Sequence, residues 1–178
     1  MINNLSFPEI KKPDYQDMPE YYKYYVDVVQ ENNLKDALRN SLKFTTEVIE
    51  VANDEKANYQ YAPEKWTIKK LLSHITDTER IFAYRALRLS RLDATLLSGF
   101  DENFYAQNSN CSQRNITQLL AEYESVRTST QALFEYMTDE MLDFKGTANT
   151  VSVTARGIGF MIAGHNIHHL NILKERYL

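Results

Sequence analysis

Apolar side chains recur at intervals of three and four residues in four long segments of the chain, which is the spacing of one face of an α-helix. These segments cover about residues 33–53, 67–92, 115–137 and 153–176. A shorter helix is predicted to begin near Pro19 and to run through EYYKYYVDVVQ, with its tyrosines over an outer edge of the core. Three of the four prolines precede residue 20 and the chain has only five glycines, so little interrupts the helices that follow.

Residues suited to capping stand before three of the long helices. Thr67, Asn115 and Ser152 each precede helical periodicity and can accept a hydrogen bond from the first turn. Of the two long connections, one contains DENFYAQ, which suits a short extra helix, and the other contains VSV, which suits an extended segment. No convincing sheet is predicted.

The helices must bury their apolar faces against one another, so the predicted fold is all-α. We expect a four-helix bundle with a short extra N-terminal helix and long connecting loops. The long connection between the second and third bundle helices allows an arrangement other than simple up-down neighbours. A length of 178 residues suits a single domain, with a leader and short helix over residues 1–30 and the bundle over 31–178.

Charge and composition limit the classes of partner that the protein is expected to bind. The net charge is -4 and acidic and basic residues are interleaved, so no basic stripe is available to bind nucleic acid. The N-terminus has no secretory apolar region and no segment is long and apolar enough to span a bilayer, which predicts a cytoplasmic protein without a membrane partner. Cys111 is the only cysteine, in a polar loop without a visible activating base, and is interpreted as incidental. Exposed tyrosines suggest a homodimer contact.

All four histidines lie in two short segments. His74 stands in WTIKKLLSHITDTE, and His165, His168 and His169 stand in GHNIHHLNILKERYL. On a helical wheel His165 and His169 are about 40° apart and fall inside the apolar stripe, whereas His168 lies on its flank. A pair at i and i+4 lets two imidazoles reach one metal ion, and a facing helix can supply a third.

The sequence therefore predicts a divalent metal held by His74, His165 and His169, with a coordination position left open. The alternative is that these are core histidines, each of which needs its own hydrogen-bond partner to offset desolvation. His168 is expected either to support a ligand from outside the coordination sphere or to lie at the surface.

Three segments carry a resemblance to a known family. KWTIKKLLSHITDTERIFAYRALR, SGFDENFYAQ and GFMIAGHNIHHLNILKERYL resemble the DinB-like superfamily, over about residues 30–178, and most closely its branch of bacillithiol transferases and metal-dependent hydrolases. The resemblance implies a four-helix bundle of the DinB type and a zinc or nickel ion held by three histidines. Matched by position, these are His74, His165 and His169, with His168 outside the set.

Several charged residues on the second bundle helix are further candidates. Asp77 either orients a ligand imidazole or is a solvated acid early in the helix. Arg85 either contacts a substrate carboxylate or, as the favoured interpretation, forms an ion pair with Asp101 or Glu102. Glu79 points away from the predicted ligand on its helix and is not favoured as a general base.

The leading hypothesis is a metal-dependent enzyme that activates a thiol or a water for transfer to, or hydrolysis of, a small-molecule substrate. The resemblance makes a low-molecular-weight thiol such as bacillithiol a plausible co-substrate, but no residue identifies the thiol or the electrophile. The alternative hypothesis is a helical ligand-binding or stress-related interaction domain, without catalysis, whose metal site is structural or vestigial.

Overall fold

The computed structural model describes residues 9–52 and 54–178, apart from the side chain of Asp17. Residues 1–8 of the predicted leader, and residue 53 at the predicted end of the first bundle helix, lie outside the described residues. The helices and strands are α1 (Glu20–Asp27), α2 (Leu34–Glu50), α3 (Ile68–Ser90), α4 (Glu102–Asn108), α5 (Ile116–Phe134), α6 (Asp139–Asp143), β1 (Gly146–Ala148), β2 (Val151–Val153) and α7 (Ala155–Arg176). Short 3-10 helices cover Tyr15–Asp17, Lys56–Asn58 and Cys111–Gln113.

The predicted elements are present with shifted ends. Helices α2, α3, α5 and α7 match the four periodic segments, and α4 is the extra helix predicted in DENFYAQ. The extended VSV segment is also confirmed, as β2. It pairs antiparallel with β1 in a two-stranded hairpin, a small sheet that the apolar spacing did not reveal. The short helix α6 was not predicted, because five residues are too few to show a period.

Two of the three predicted helix caps are confirmed. The Thr67 side chain accepts a hydrogen bond from the Lys70 amide, and Asn115 forms a reciprocal capping box with Gln118. The prediction for Ser152 is wrong, because that residue pairs with Thr147 in the hairpin. Thr154 caps α7 instead by accepting from the Gly157 amide, so the strand continues two residues further than the cap pattern indicated.

Helices α2, α3, α5 and α7 form a four-helix bundle. Helices α2 and α3 each pack against both α5 and α7. Helices consecutive in the bundle, α2 with α3 and α5 with α7, therefore lie diagonally across it, which is not a simple up-down order. Among the described residues, no helix combines the length and apolarity needed to cross a bilayer.

Helix α1 packs outside the bundle, directly on α7. The contact depends on Gly164, because a Cβ atom built there would lie 1.7 Å from the carbonyl oxygen of Tyr25. Only a residue without a side chain lets the two backbones approach so closely. Tyr22 and Tyr25 are buried as a result, while Tyr21 and Tyr24 stay exposed. The predicted position of the tyrosines over an edge of the core is confirmed.

An ion pair lies in the centre of the bundle. The guanidinium of Arg127, on α5, donates from Nε and Nη2 to the two carboxylate oxygens of Glu79, on α3, at 2.8 Å each. Its Nη1 donates to the Leu38 carbonyl and to Ser41 on α2. Arg127 is 0% exposed and Glu79 2% exposed, so both charges depend on these partners. Glu79 is occupied here, in agreement with the expectation that it does not act as a base at the histidines.

Arg127→Met should lower the free energy of unfolding by about 3–5 kcal/mol, because Glu79 would keep a buried charge without a partner. Arg80→Met is the matched control. Arg80 also pairs with carboxylates, those of Asp77 and Glu122, but its side chain is 46% exposed, so the loss should stay below about 1 kcal/mol. Urea denaturation of both variants measures the difference. Equal losses would contradict the assigned role of the buried pair.

Candidate metal centre

Three histidine side chains converge between α3 and α7. Nε2 of His165 lies 3.1 Å from Nε2 of His74 and 3.1 Å from Nε2 of His169. Each histidine offers one ring nitrogen to a set in which all the nitrogens lie within 4.8 Å of one another. His165 and His169 are one turn apart on α7, and the packing of α3 on α7 brings His74 to them.

The contacts of His165 fit a shared cation better than a hydrogen-bond network. An imidazole nitrogen carries either one N–H or one lone pair in the ring plane, so Nε2 can form one good hydrogen bond. Nε2 of His165 has two close nitrogen neighbours, and one of these contacts would remain unsatisfied. Two nitrogens bound at about 2.0–2.1 Å to one zinc ion lie roughly 3.3 Å apart in tetrahedral geometry, close to the two separations of 3.1 Å around His165. The donor set therefore fits a divalent transition metal.

Burial keeps the three imidazoles neutral, which is the form that binds metal. Desolvation lowers the pKa of His74 to about 4 and, with the neighbouring histidines, that of His169 to about 3. Desolvation also lowers the pKa of His165 well below its ordinary value, and the other histidines lower it further. At neutral pH the cluster thus presents lone pairs rather than positive charges.

His168 and Asp77 have hydrogen-bond partners outside the cluster. Nδ1 of His168 lies 2.9 Å from the hydroxyl of Tyr24, and its ring contacts that of His169 edge-on at a centroid distance of 5.0 Å. Its nitrogens are not part of the converging set. Asp77 accepts a hydrogen bond from Arg80 at 3.3 Å, and among the described residues no hydrogen bond joins it to His74.

The favoured interpretation of Arg85 is wrong. Within the part of the chain that the structure describes, Arg85 forms no ion pair with Asp101 or Glu102. Nη2 of Arg85 instead donates to the Ser98 carbonyl at 2.7 Å. The loop after α3 turns back so that a carbonyl, rather than either carboxylate, meets the guanidinium.

A cavity of about 470 Å³ adjoins the three histidines. Its walls also include residues that the sequence did not mark as site candidates: Tyr21, Tyr22, Tyr25, Trp66, Thr78, Phe82, Phe100 and Asn149. Glu102, predicted only as an ion-pair partner of Arg85, lines it too. The Trp66 ring lies 4.8 Å from that of His74, and the Tyr25 ring lies 5.6 Å from that of His165. The spacing of Thr78 and Phe82, at four and eight residues after His74, was the one available signal, since it places them on the same helix face.

Comparison with known proteins agrees with this architecture. The model of the DinB superfamily matches residues 37–173, and the chain belongs to that superfamily. A solved structure, YfiT from Bacillus subtilis, has 17% sequence identity and a TM-score of 0.71, and the alignment covers 97% of this chain and 95% of that one. YfiT is described as a probable metal-dependent hydrolase with an unusual four-helix bundle topology. No curated protein matches the sequence. The DinB-type bundle predicted from the sequence is confirmed.

The metal-free protein should lose stability as the pH falls from about 6.5 toward 4. The folded-state pKa values of His74 and His169 lie below those of the unfolded chain, so the unfolded state binds more protons in this window and acid favours it. Urea denaturation in the presence of a chelator measures the free energy of unfolding at each pH. Between pH 7 and pH 4 this free energy should fall by about 2 kcal/mol or more beyond the fall in the double variant His74→Asn/His169→Asn. Parallel pH profiles for the two proteins would show that burial of these imidazoles does not depress their pKa.

Proposed function

We propose that this member of the DinB superfamily is a metal-dependent enzyme whose zinc or nickel ion is held by His74, His165 and His169. The observation that carries the proposal is the convergence of three neutral imidazole nitrogens on one point beside a cavity. Three protein ligands leave a coordination position for a small molecule, as catalytic sites require. A metal so held supplies Lewis acidity, which makes a water or a thiol nucleophilic at neutral pH.

The protein groups around the histidines would position the substrate and limit the access of water. Trp66 and Phe82 cover the imidazoles from α3 and its N-terminal side, and Tyr25 covers them from α1. The hydroxyls of Tyr21 and Tyr25 lie 2.9 Å apart, so the hydroxyl that accepts from the other keeps its own O–H to donate to a bound molecule. Burial, with the hydrogen bond to Tyr21, raises the pKa of Tyr25, so its hydroxyl stays protonated and serves as a donor rather than a base.

Hydrolysis and thiol transfer both follow from such a site. The description of YfiT as a probable metal-dependent hydrolase supports the first. The resemblance to the branch of bacillithiol transferases supports the second, with a low-molecular-weight thiol as co-substrate. In either reaction the cavity holds the small-molecule substrate against the open side of the histidines. The homodimer and the cytoplasmic location remain predictions.

Metal analysis of purified protein tests the ligand set. Protein grown with zinc and nickel and isolated without chelator should carry about one equivalent of metal, and His165→Ala should carry less than about a tenth. His168→Ala is the matched control, because it removes a histidine from the same helix but outside the cluster, and it should retain the metal. Full occupancy in His165→Ala, or equal losses in both variants, would reject the assignment.

Turnover separates an enzyme from a binding protein. The metal-loaded protein should hydrolyse members of an ester and amide panel, or couple a thiol to monochlorobimane, at a rate that falls at least about 100-fold in His165→Ala. Chelation should abolish the rate and added metal should restore it, while His168→Ala should keep most of it. Stoichiometric metal without turnover on either panel would favour the interaction domain over the enzyme.

A further inference from the structure

Arg85 is a buried cation without an anionic partner among the residues that the structure describes. It is 5% exposed and lines the cavity that adjoins the histidines. Its guanidinium lies between two aromatic rings, with Cζ 5.6 Å from the centroid of Phe82 and 6.0 Å from that of Phe100. Within the described part of the chain, its hydrogen bond goes to the neutral carbonyl of Ser98. A guanidinium has five N–H donors, so most of its donor capacity is available to a ligand.

The buried arginines of this protein differ in their partners. Arg127 is held by the carboxylate of Glu79, which balances its charge. Arg85 has no such carboxylate, and desolvation lowers the pKa of its guanidinium, an effect that proximity to Tyr22 only partly offsets. An anion in the cavity would remove this imbalance. Glu102 lines the same cavity, but it is exposed and forms no ion pair with Arg85 among the described residues.

Thr78 is a second group in the same cavity without a partner. Its Oγ1 is the one buried side-chain polar atom of the described residues that has no hydrogen-bond partner. Thr78 is 3% exposed and stands one turn after His74 and one turn before Phe82 on α3. A buried hydroxyl left without a partner is costly, so a ligand that bonds to it gains an interaction the free protein lacks.

The ring of Phe82 links the histidines to the guanidinium. Its centroid lies 6.2 Å from that of His165 and 5.6 Å from Cζ of Arg85. A molecule with one end at the histidines and the other at Arg85 would thus cross the face of an aromatic ring and pass Thr78. A planar carboxylate suits the fork of N–H donors at the far end.

We propose that Arg85 and Thr78 form a substrate subsite that binds the carboxylate of a small, partly apolar carboxylic acid, with the reactive group of that molecule at the three histidines. The subsite deepens the proposed function and rests on it for the location of the reaction. Arg85 and Thr78 both bond to the carboxylate, and Phe82 and Phe100 contact the apolar part.

Binding of 3-phenylpropanoate to the metal-free protein tests the subsite without activity. Its neutral amide, 3-phenylpropanamide, has a similar shape but no charge. By titration calorimetry, supported by ligand-observed NMR, the acid should bind at least about tenfold more tightly than the amide, because a guanidinium bonds an anion more strongly than a neutral group. Arg85→Gln should remove this preference. Arg88→Gln, which changes the arginine one turn later that pairs with Asp93, should keep it.

Two further variants guard against a structural explanation. Arg85→Lys retains the charge, so it should keep part of the preference even if Arg85→Gln fails to fold. Thr78→Val removes the unpartnered hydroxyl at nearly constant volume, so it should raise the midpoint of thermal unfolding while weakening the acid at least about threefold. Equal binding of acid and amide to the wild type, an undiminished preference in Arg85→Gln, or unchanged acid affinity in Thr78→Val would overturn the proposal.

The two proposals fail in different experiments. Stoichiometric metal with no preference for the acid would reject the subsite and leave the metal centre in place. A preference for the acid that depends on Arg85, in a protein that binds no metal, would reject the enzyme and retain the anion site.

Discussion

The buried pair of Arg127 and Glu79 fixes the arrangement on which the histidine cluster depends. Arg127 stands on α5, Glu79 on α3, and the other acceptors of the guanidinium on α2. The three helices meet at this point because a desolvated guanidinium needs hydrogen-bond acceptors. The network continues to α7, since Thr45 on α2 lies within hydrogen-bond distance of the amide of Asn166. Asn166 directly follows His165. The polar contacts that align the helices therefore also fix the position of α7 along the bundle axis, so that its histidines face His74.

The sequence was sufficient for whatever depends on local spacing. Four amphipathic segments and the caps at Thr67 and Asn115 predicted the bundle, and the separation of His165 and His169 by four residues predicted a shared face. The position of His74 beside them depends on the packing of α3 on α7. A helical wheel describes one helix and gives no information on how two helices pack. The prediction of His74 rested on its being the remaining histidine on another helix, and the family resemblance led to the same residue. Arg127 gave no sign of its role, because an arginine in a polar-looking stretch of α5 is normally solvated.

The far wall of the cavity could not be predicted for a different reason. Leu97 forms a parallel bridge to Ala148, and this contact ties the loop after α3 to the hairpin. Asn149, at the hairpin tip, has a φ of 49°, and a Cβ atom at Gly99 would lie 2.3 Å from its Oδ1. Such close contacts between segments about 50 residues apart leave no periodic trace. They place Ser98 and Phe100 against Arg85, which is why the carboxylate expected there is absent.

The site therefore has two parts with different structural origins. The histidines stand on two long helices whose alignment is set by buried polar contacts, so the geometry of the metal centre is tied to the stability of the bundle. The cavity walls come in part from α1, from the loop after α3 and from the hairpin, which lie outside the four bundle helices. YfiT, with 17% identity, accordingly has the same fold. Arg85 belongs to both parts. It stands on a bundle helix, but the loop after α3 supplies its hydrogen-bond acceptor and one of its aromatic neighbours.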